Sequence, residues 1–194
     1  MARVSSFKNM VITLTSICLV SSTLLALVYA FTKDPIAAAE TAKKNSAIAE
    51  VVPEFDNAPV DEKFDIDLGG SSYAVYPAKK GDQPVGYAIE SYTTKGFGGR
   101  IILMVGFDSE GKIINTSVVS HSETPGLGEK IQASKSDFSL QFREKNPAEF
   151  NMSVKQDGGD VDAITASTIS SRAFCDAMQT AYKVFKAIKE AENE

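Results

Sequence analysis

The hydrophobic rhythm of the chain changes twice. From Met10 to Phe31 no residue is charged, and 16 of the 22 positions are apolar. At ~1.5 Å per residue a helix of that length spans a ~30 Å hydrocarbon layer. Thr13, Thr15, Ser16, Ser21, Ser22 and Thr23 dilute the run but can bond back into the helix. Residues 33–50 are rich in Ala, Lys and Glu, which predicts a helical stalk, and Pro53 and Pro59 bracket a break after it. The period then becomes that of strands. Tyr73-Ala74-Val75-Tyr76 and Tyr87-Ala88-Ile89 read as short strands, punctuated by Gly69-Gly70, Gly81 and Pro84. Gly96-Phe97-Gly98-Gly99 reads as a flexible turn. Ile101 to Phe107 and Ile113 to Ser120 flank Asp108-Ser109-Glu110-Gly111, the clearest hairpin signal.

The second change returns to a helical period. Ile131 to Phe142 reads as one short helix or two turns. Phe174, Met178, Ala181, Phe185 and Ile188 then fall at spacings of 4, 3, 4 and 3, one face of a helix predicted over Ser170–Glu192. Lys183, Lys186 and Lys189 lie off that face. Strands followed by helices predict an α+β class rather than alternating α/β. The expected division is a short N-terminus (1–9), a membrane helix (10–31), a stalk (32–60) and one domain (61–194) with a small antiparallel sheet and a long C-terminal helix.

A cleavable signal peptide is the rival reading of the apolar run, because Val28-Tyr29-Ala30 has residues suited to cleavage. The run exceeds the 7–15 residues usual for a signal core, which favours a retained anchor. Arg3 and Lys8 precede the span, while Lys33, Lys43 and Lys44 follow it, so positive charge alone does not fix orientation. A cytoplasmic N-terminus with the body outside is the expectation.

Charge narrows the function. The net −5 divides into +2 for residues 1–31 and −7 for the rest. An acidic body argues against nucleic-acid binding. Cys18 lies in the apolar run and Cys175 in the last helix, a poor pair for a disulfide. His121 is the only histidine, which excludes a multi-histidine metal site. No Walker or Rossmann fingerprint occurs, and nothing like a nucleophile elbow accompanies His121. Neither a catalytic residue nor a metal ligand set is expected.

Two segments remain. His121-Ser122-Glu123-Thr124-Pro125-Gly126-Leu127-Gly128 follows a strand and reads as a rigid loop that a ligand can approach closely, or as an ordinary connector. Asp162-Ala163-Ile164-Thr165-Ala166-Ser167-Thr168 places hydroxyls just ahead of the last helix. There the backbone N–H groups and helix dipole favour a phosphate, free or esterified to Thr168. Capping hydroxyls are the plainer explanation of the same residues.

Taken together, His-x-Glu-Thr-Pro-Gly-Leu-Gly followed some forty residues later by Asp-x-x-Thr-x-x-Thr resembles the FMN-binding domain family. Within it the chain most resembles the G-subunit family of Rnf electron-transport complexes, with the C subunits of sodium-pumping NADH:quinone reductases as near relatives. The likeness covers the short N-terminus, the span, the stalk, Gly86-Tyr87, the Gly98-Gly99 turn and Val105-Gly106-Phe107-Asp108. It implies FMN joined by a flavin transferase, through its phosphate, to Thr168, with Thr165 and Asp162 as the other motif positions. Ala166 and Ser167 depart from the family's usual Gly and Ala, and Ser167 adds a second hydroxyl beside the acceptor. His121, Glu123, Thr124, Gly126, Leu127 and Gly128 are the expected flavin loop.

The implied role is an electron carrier, not catalytic by itself, in a bacterial inner membrane. It would sit among Rnf A, B, C, D and E type subunits that couple electron flow between ferredoxin and NAD to ion translocation. An extracytoplasmic ligand-binding or assembly module without a redox role is the competing class.

Overall fold

The computed structural model describes residues 6–81 and 83–192. It divides into two compact units, Met1–Ala42 and Lys43–Glu194. One helix, α1 (Phe7–Val51), is 45 residues long. Within the first unit every described residue is exposed, including Leu25 at 72% and Phe31 at 79%. A continuous apolar helix with no protein cover is long and apolar enough to cross a membrane. Pro35 sits inside it, and the Thr32 hydroxyl donates to the Val28 carbonyl at 2.9 Å.

The second unit is built on a five-stranded antiparallel meander, β1 (Phe64–Leu68), β2 (Ser71–Lys80), β3 (Gln83–Gly96), β4 (Gly99–Asp108) and β5 (Ile113–His121), with neighbours in sequence also neighbours in space. Strand alternation sorts its residues onto two faces. Tyr73, Val75, Tyr87, Ile89, Ile101, Leu103, Val105 and Phe107 join a core with the second helix, α2 (Thr168–Glu192). Tyr76, Ala78, Ala88 and Met104 face the other way and meet Ala47, Ile48 and Val51 from the last turns of α1.

A Cβ on Gly106 would lie 1.7 Å from the Val51 carbonyl oxygen, so only glycine admits this packing. Asn115 Nδ2 donates to the Glu50 carbonyl at 3.0 Å, satisfying one acceptor of the helix end. Lys44 Nζ sits 3.0 Å from Glu90 Oε2, which also accepts from the Tyr76 hydroxyl at 3.1 Å. Burial, with the adjacent Glu90 charge, pushes that phenol well above its ordinary pKa.

The α+β architecture matches the sequence expectation, with differences of extent. The strands at 73–76 and 87–89 are cores of longer ones, and β1 is additional. The 131–142 segment forms two short 3-10 turns, Gly128–Ile131 and Phe138–Phe142. The last helix starts two residues early, at Thr168. Its five predicted core residues are all buried. The Phe174 ring seats its N-terminal half, packing on Phe138 and Phe142 at centroid distances of 5.3 and 5.2 Å. Burying such a ring is worth ~1.5–3 kcal/mol. Farther along, Ser91 donates to the Ala177 carbonyl at 2.5 Å, tying α2 to β3.

Candidate functional site

A cleft of about 260 Å³ opens where three segments converge: the β3–β4 turn with Phe97, the loop leaving β5, and the first turn of α2. Phe97, Leu127 and Ile169 line it while being 71%, 43% and 50% exposed. Outside α1, only Phe64 joins them among the described large apolar residues left in solvent. Three exposed apolar side chains around one cleft mark a surface suited to an apolar ligand.

The floor is the start of α2. Ser167 C=O accepts the Ser171 N–H at 3.0 Å, which makes Ser167 the N-cap and Thr168 the first helical residue. The Ser171 hydroxyl donates back to the Ser167 carbonyl at 3.0 Å and accepts the Ile164 N–H at 2.9 Å. Ser167 N–H donates to Ile164 C=O at 3.0 Å, closing a turn whose third residue, Ala166, has φ +62°. The N–H groups of residues 168–170 have no acceptor inside the helix. Among the described contacts they have no side-chain acceptor either, and the Thr168 hydroxyl is equally unengaged. A hydroxyl beside three unfilled donors suits an anion attached at Thr168.

Charge near the cleft is arranged unusually. Among the described residues no Lys or Arg lines it. Two cations of the neighbouring segments are turned to acids: Arg172 binds Asp157 in a bidentate pair at 2.7 and 2.7 Å, and Lys155 binds Asp162 at 2.8 Å. The Arg172 guanidinium holds the Asp157 carboxyl below the usual range. Attraction for an anion is thus left to the helix N-terminus.

Of the residues singled out from sequence, Glu123, Thr124, Leu127, Gly128, Ser167 and Thr168 come together around the cleft. His121, Gly126, Asp162 and Thr165 do not line it. His121 Nδ1 accepts the Glu123 N–H at 3.1 Å, so the neutral ring carries its proton on Nε2, beside the Gln132 side-chain amide. That proton calls for the amide oxygen opposite it. Gly126 N–H donates to Glu129 Oε1 at 2.7 Å, shaping the loop. Asp162 is exposed, and Gln141 pins its backbone twice, at 2.8 and 3.0 Å. Thr165 is exposed in the turn.

Sequence reasoning missed Phe97, Ala166, Ile169 and Ser170 as lining residues. An aromatic inside a glycine-rich turn was the available signal for Phe97, since such turns seldom bury one.

Residues 96–183 match the FMN-binding domain family, and residues 1–51 match the RnfG N-terminal region. The chain is 34% identical over 196 residues to the G subunit of the ion-translocating oxidoreductase complex of Shewanella amazonensis, covering 92% of this chain and 87% of that protein. It is 34% identical over 169 residues to the G subunit of the same complex in Escherichia coli K12, covering 83% and 82%. Against that of Vibrio parahaemolyticus it is 37% identical over 165 residues, covering 80% and 78%.

Proposed function

Because the chain belongs to the G-subunit family of ion-translocating oxidoreductase complexes and carries that family's FMN-binding domain, we propose that it is the membrane-anchored electron-transfer subunit of an Rnf-type complex. In this reading FMN is bound covalently, through its phosphate, to Thr168, and a flavin transferase makes the bond. The complex passes electrons between ferredoxin and NAD and couples them to ion movement. Residues 10–31 anchor the chain in the bacterial inner membrane, 32–60 form the stalk, and the flavin domain of 61–194 lies on the extracytoplasmic side. Multi-span subunits of the A, D and E type, with B and C, are its partners.

The observation that carries the reading is the electrostatics of the α2 start. Three unfilled N–H donors and a free hydroxyl suit a phosphate, yet among the described residues no cationic side chain lines the cleft and the Glu123 carboxylate does. A free phosphate monoester carries about −1.5 to −2 at neutral pH, whereas a diester carries one charge. Helix N–H groups alone hold the monoester weakly, so retention calls for a covalent tether. The ester would also shed one charge next to Glu123.

Ser167 and Thr168 would hold the phosphate, and Phe97, Leu127 and Ile169 would flank the ring, with Thr124 and Gly128 along the loop side. Bound there, the flavin supplies the redox chemistry, and the chain supplies placement and field. At about 260 Å³ the cleft falls short of the ~300–1,000 Å³ that encloses a drug-sized ligand, so it would leave part of a bound flavin accessible to a redox partner.

Co-expression with a flavin transferase should give a band at this chain that fluoresces under ultraviolet light after denaturing electrophoresis. Thr168→Ala should abolish it; a fluorescent Thr168→Ala band would refute the attachment. Mass spectrometry of the peptide containing residues 167 and 168 separates the two hydroxyls.

A further inference from the structure

Glu123 is 5% exposed, and no cation is paired with it among the described residues. Its Oε1 accepts the Gly98 N–H at 2.9 Å, and its Oε2 accepts the Ser170 hydroxyl. Gly98 belongs to the turn that carries Phe97; Ser170 belongs to the first turn of α2, two residues after Thr168. The surrounding chain is cut to fit this carboxylate. A Cβ on Gly96 would lie 2.4 Å from the Gly99 carbonyl oxygen and 2.5 Å from Oε1, and a Cβ on Gly128 would lie 2.6 Å from Oε2 and 2.7 Å from the Ser170 hydroxyl oxygen. Gly128, which sequence reading assigns to close ligand approach, is therefore room for a buried side chain, and Gly96 makes room both for it and for the Gly99 carbonyl.

Both carboxylate oxygens are engaged, and each bond reaches a different wall of the cleft. A buried carboxylate is costly unless its acceptor sites are filled, so these two bonds hold only while the walls stay in register. We infer that Glu123 is a positioning residue: its carboxylate joins the Phe97 turn to the N-terminal turn of α2 and thereby fixes the separation between the aromatic wall and the Thr168 hydroxyl. It acts through the segments it joins. The tie is a property of the polypeptide itself; only its consequence for a bound flavin rests on the function proposed above.

The decisive test is hydrogen exchange on the full-length chain in detergent, prepared without flavin transferase. In Glu123→Ala the Gly98 N–H loses its acceptor, and exchange across residues 96–99 should rise roughly tenfold or more, the measure of one lost charge-assisted bond. Peptides from β4 and β5 should keep their wild-type rates. Glu123→Gln retains an oxygen for Gly98 and an amide for Ser170, so it should stay close to wild type. In flavin-bearing protein, Glu123→Ala should make flavin emission more accessible to iodide quenching, and Glu123→Gln should not.

Unchanged exchange at 96–99 in Glu123→Ala overturns the inference, as does an equal rise in the Gln variant. Should Glu123→Ala fail to fold, Ser170→Ala removes one of the two bonds and is read the same way, with no rise at 96–99 counting against the tie. Wild-type chain that emerges without flavin from co-expression would defeat the proposed function and leave the exchange result standing.

Discussion

The Val51 carbonyl oxygen occupies the space that a side chain on residue 106 would need, 1.7 Å from where a Cβ would stand. A side chain there must push the end of α1 off the sheet, uncovering Ile48, Val51 and Met104, all buried in that contact. Gly106→Ala should cost about 3 kcal/mol, the upper end of ordinary overpacking. A lowered thermal midpoint and new proteolytic cleavage near residues 43–60 would register it. An unchanged midpoint would mean that the helix end yields easily.

Ala166 has φ +62°, a left-handed conformation that costs a residue with a Cβ roughly 1–2 kcal/mol. Glycine is freer in the unfolded chain, which returns part of that gain. Ala166→Gly should therefore stabilise the fold by up to about 1 kcal/mol and leave the flavin band intact. Denaturant titration reads the first effect and in-gel fluorescence the second. A destabilised Gly variant would show that the turn carries no strain.

Acid should loosen the contact between α2 and the end of β3. Burial opposes ionisation of Asp176, yet bonds from Lys95 Nζ at 2.6 Å and Thr93 Oγ1 at 2.7 Å outweigh it and hold the carboxyl below its ordinary value. A carboxyl depressed in the folded state stabilises fully above its unfolded pKa, about 3.9, and that contribution fades as pH falls through the lower folded value. Unfolding free energy measured from about pH 6 down to pH 3 should decline for the wild type, and less steeply for Asp176→Asn. Parallel curves would assign the acid sensitivity to other carboxylates.

Cys175 is 3% exposed, and burial pushes its thiol up to about 12. The thiolate is the reactive form, so native protein should resist thiol reagents near pH 8. In a Cys18→Ser background, Ellman's reagent should find no thiol until denaturant is added. Because the folded value is raised, stability from this group is complete below the unfolded pKa near 8.5 and declines as pH rises toward about 12. Rapid native labelling would indicate that α2 opens locally.

Elements governed by periodicity were legible in the sequence. The α2 face could be read because five apolar residues repeat at helical spacing, and the β4–β5 hairpin because its turn residues interrupt two apolar runs. The β1 strand was missed although Phe64-Asp65-Ile66-Asp67-Leu68 alternates strictly, because five residues of a half-exposed edge make a short signal. The end of β2 was obscured by Pro77, which reads as a strand breaker although here it pairs opposite Tyr87. Within the site, the start of α2 could be placed to within two residues because a helix start has a local signature, whereas Thr168 was singled out by the family resemblance. The bonds of Glu123 could not, because both partners are remote in sequence, 25 residues away at Gly98 and 47 at Ser170. Ala166 was visible as a departure, but its reason, a left-handed backbone, appears only in three dimensions.

The meander has a consequence in time. Each strand pairs with its neighbour in sequence, so the sheet can assemble progressively from β1 to β5 with short loops to close. The α2 helix follows the sheet in sequence and covers one of its faces. The donors at its start become a site only once Phe174 is seated between Phe138 and Phe142. On the attachment proposed above, the Thr168 hydroxyl would then be presented as an acceptor by completed molecules and withheld by partly folded ones. The mark left on that hydroxyl would double as a record that folding had finished.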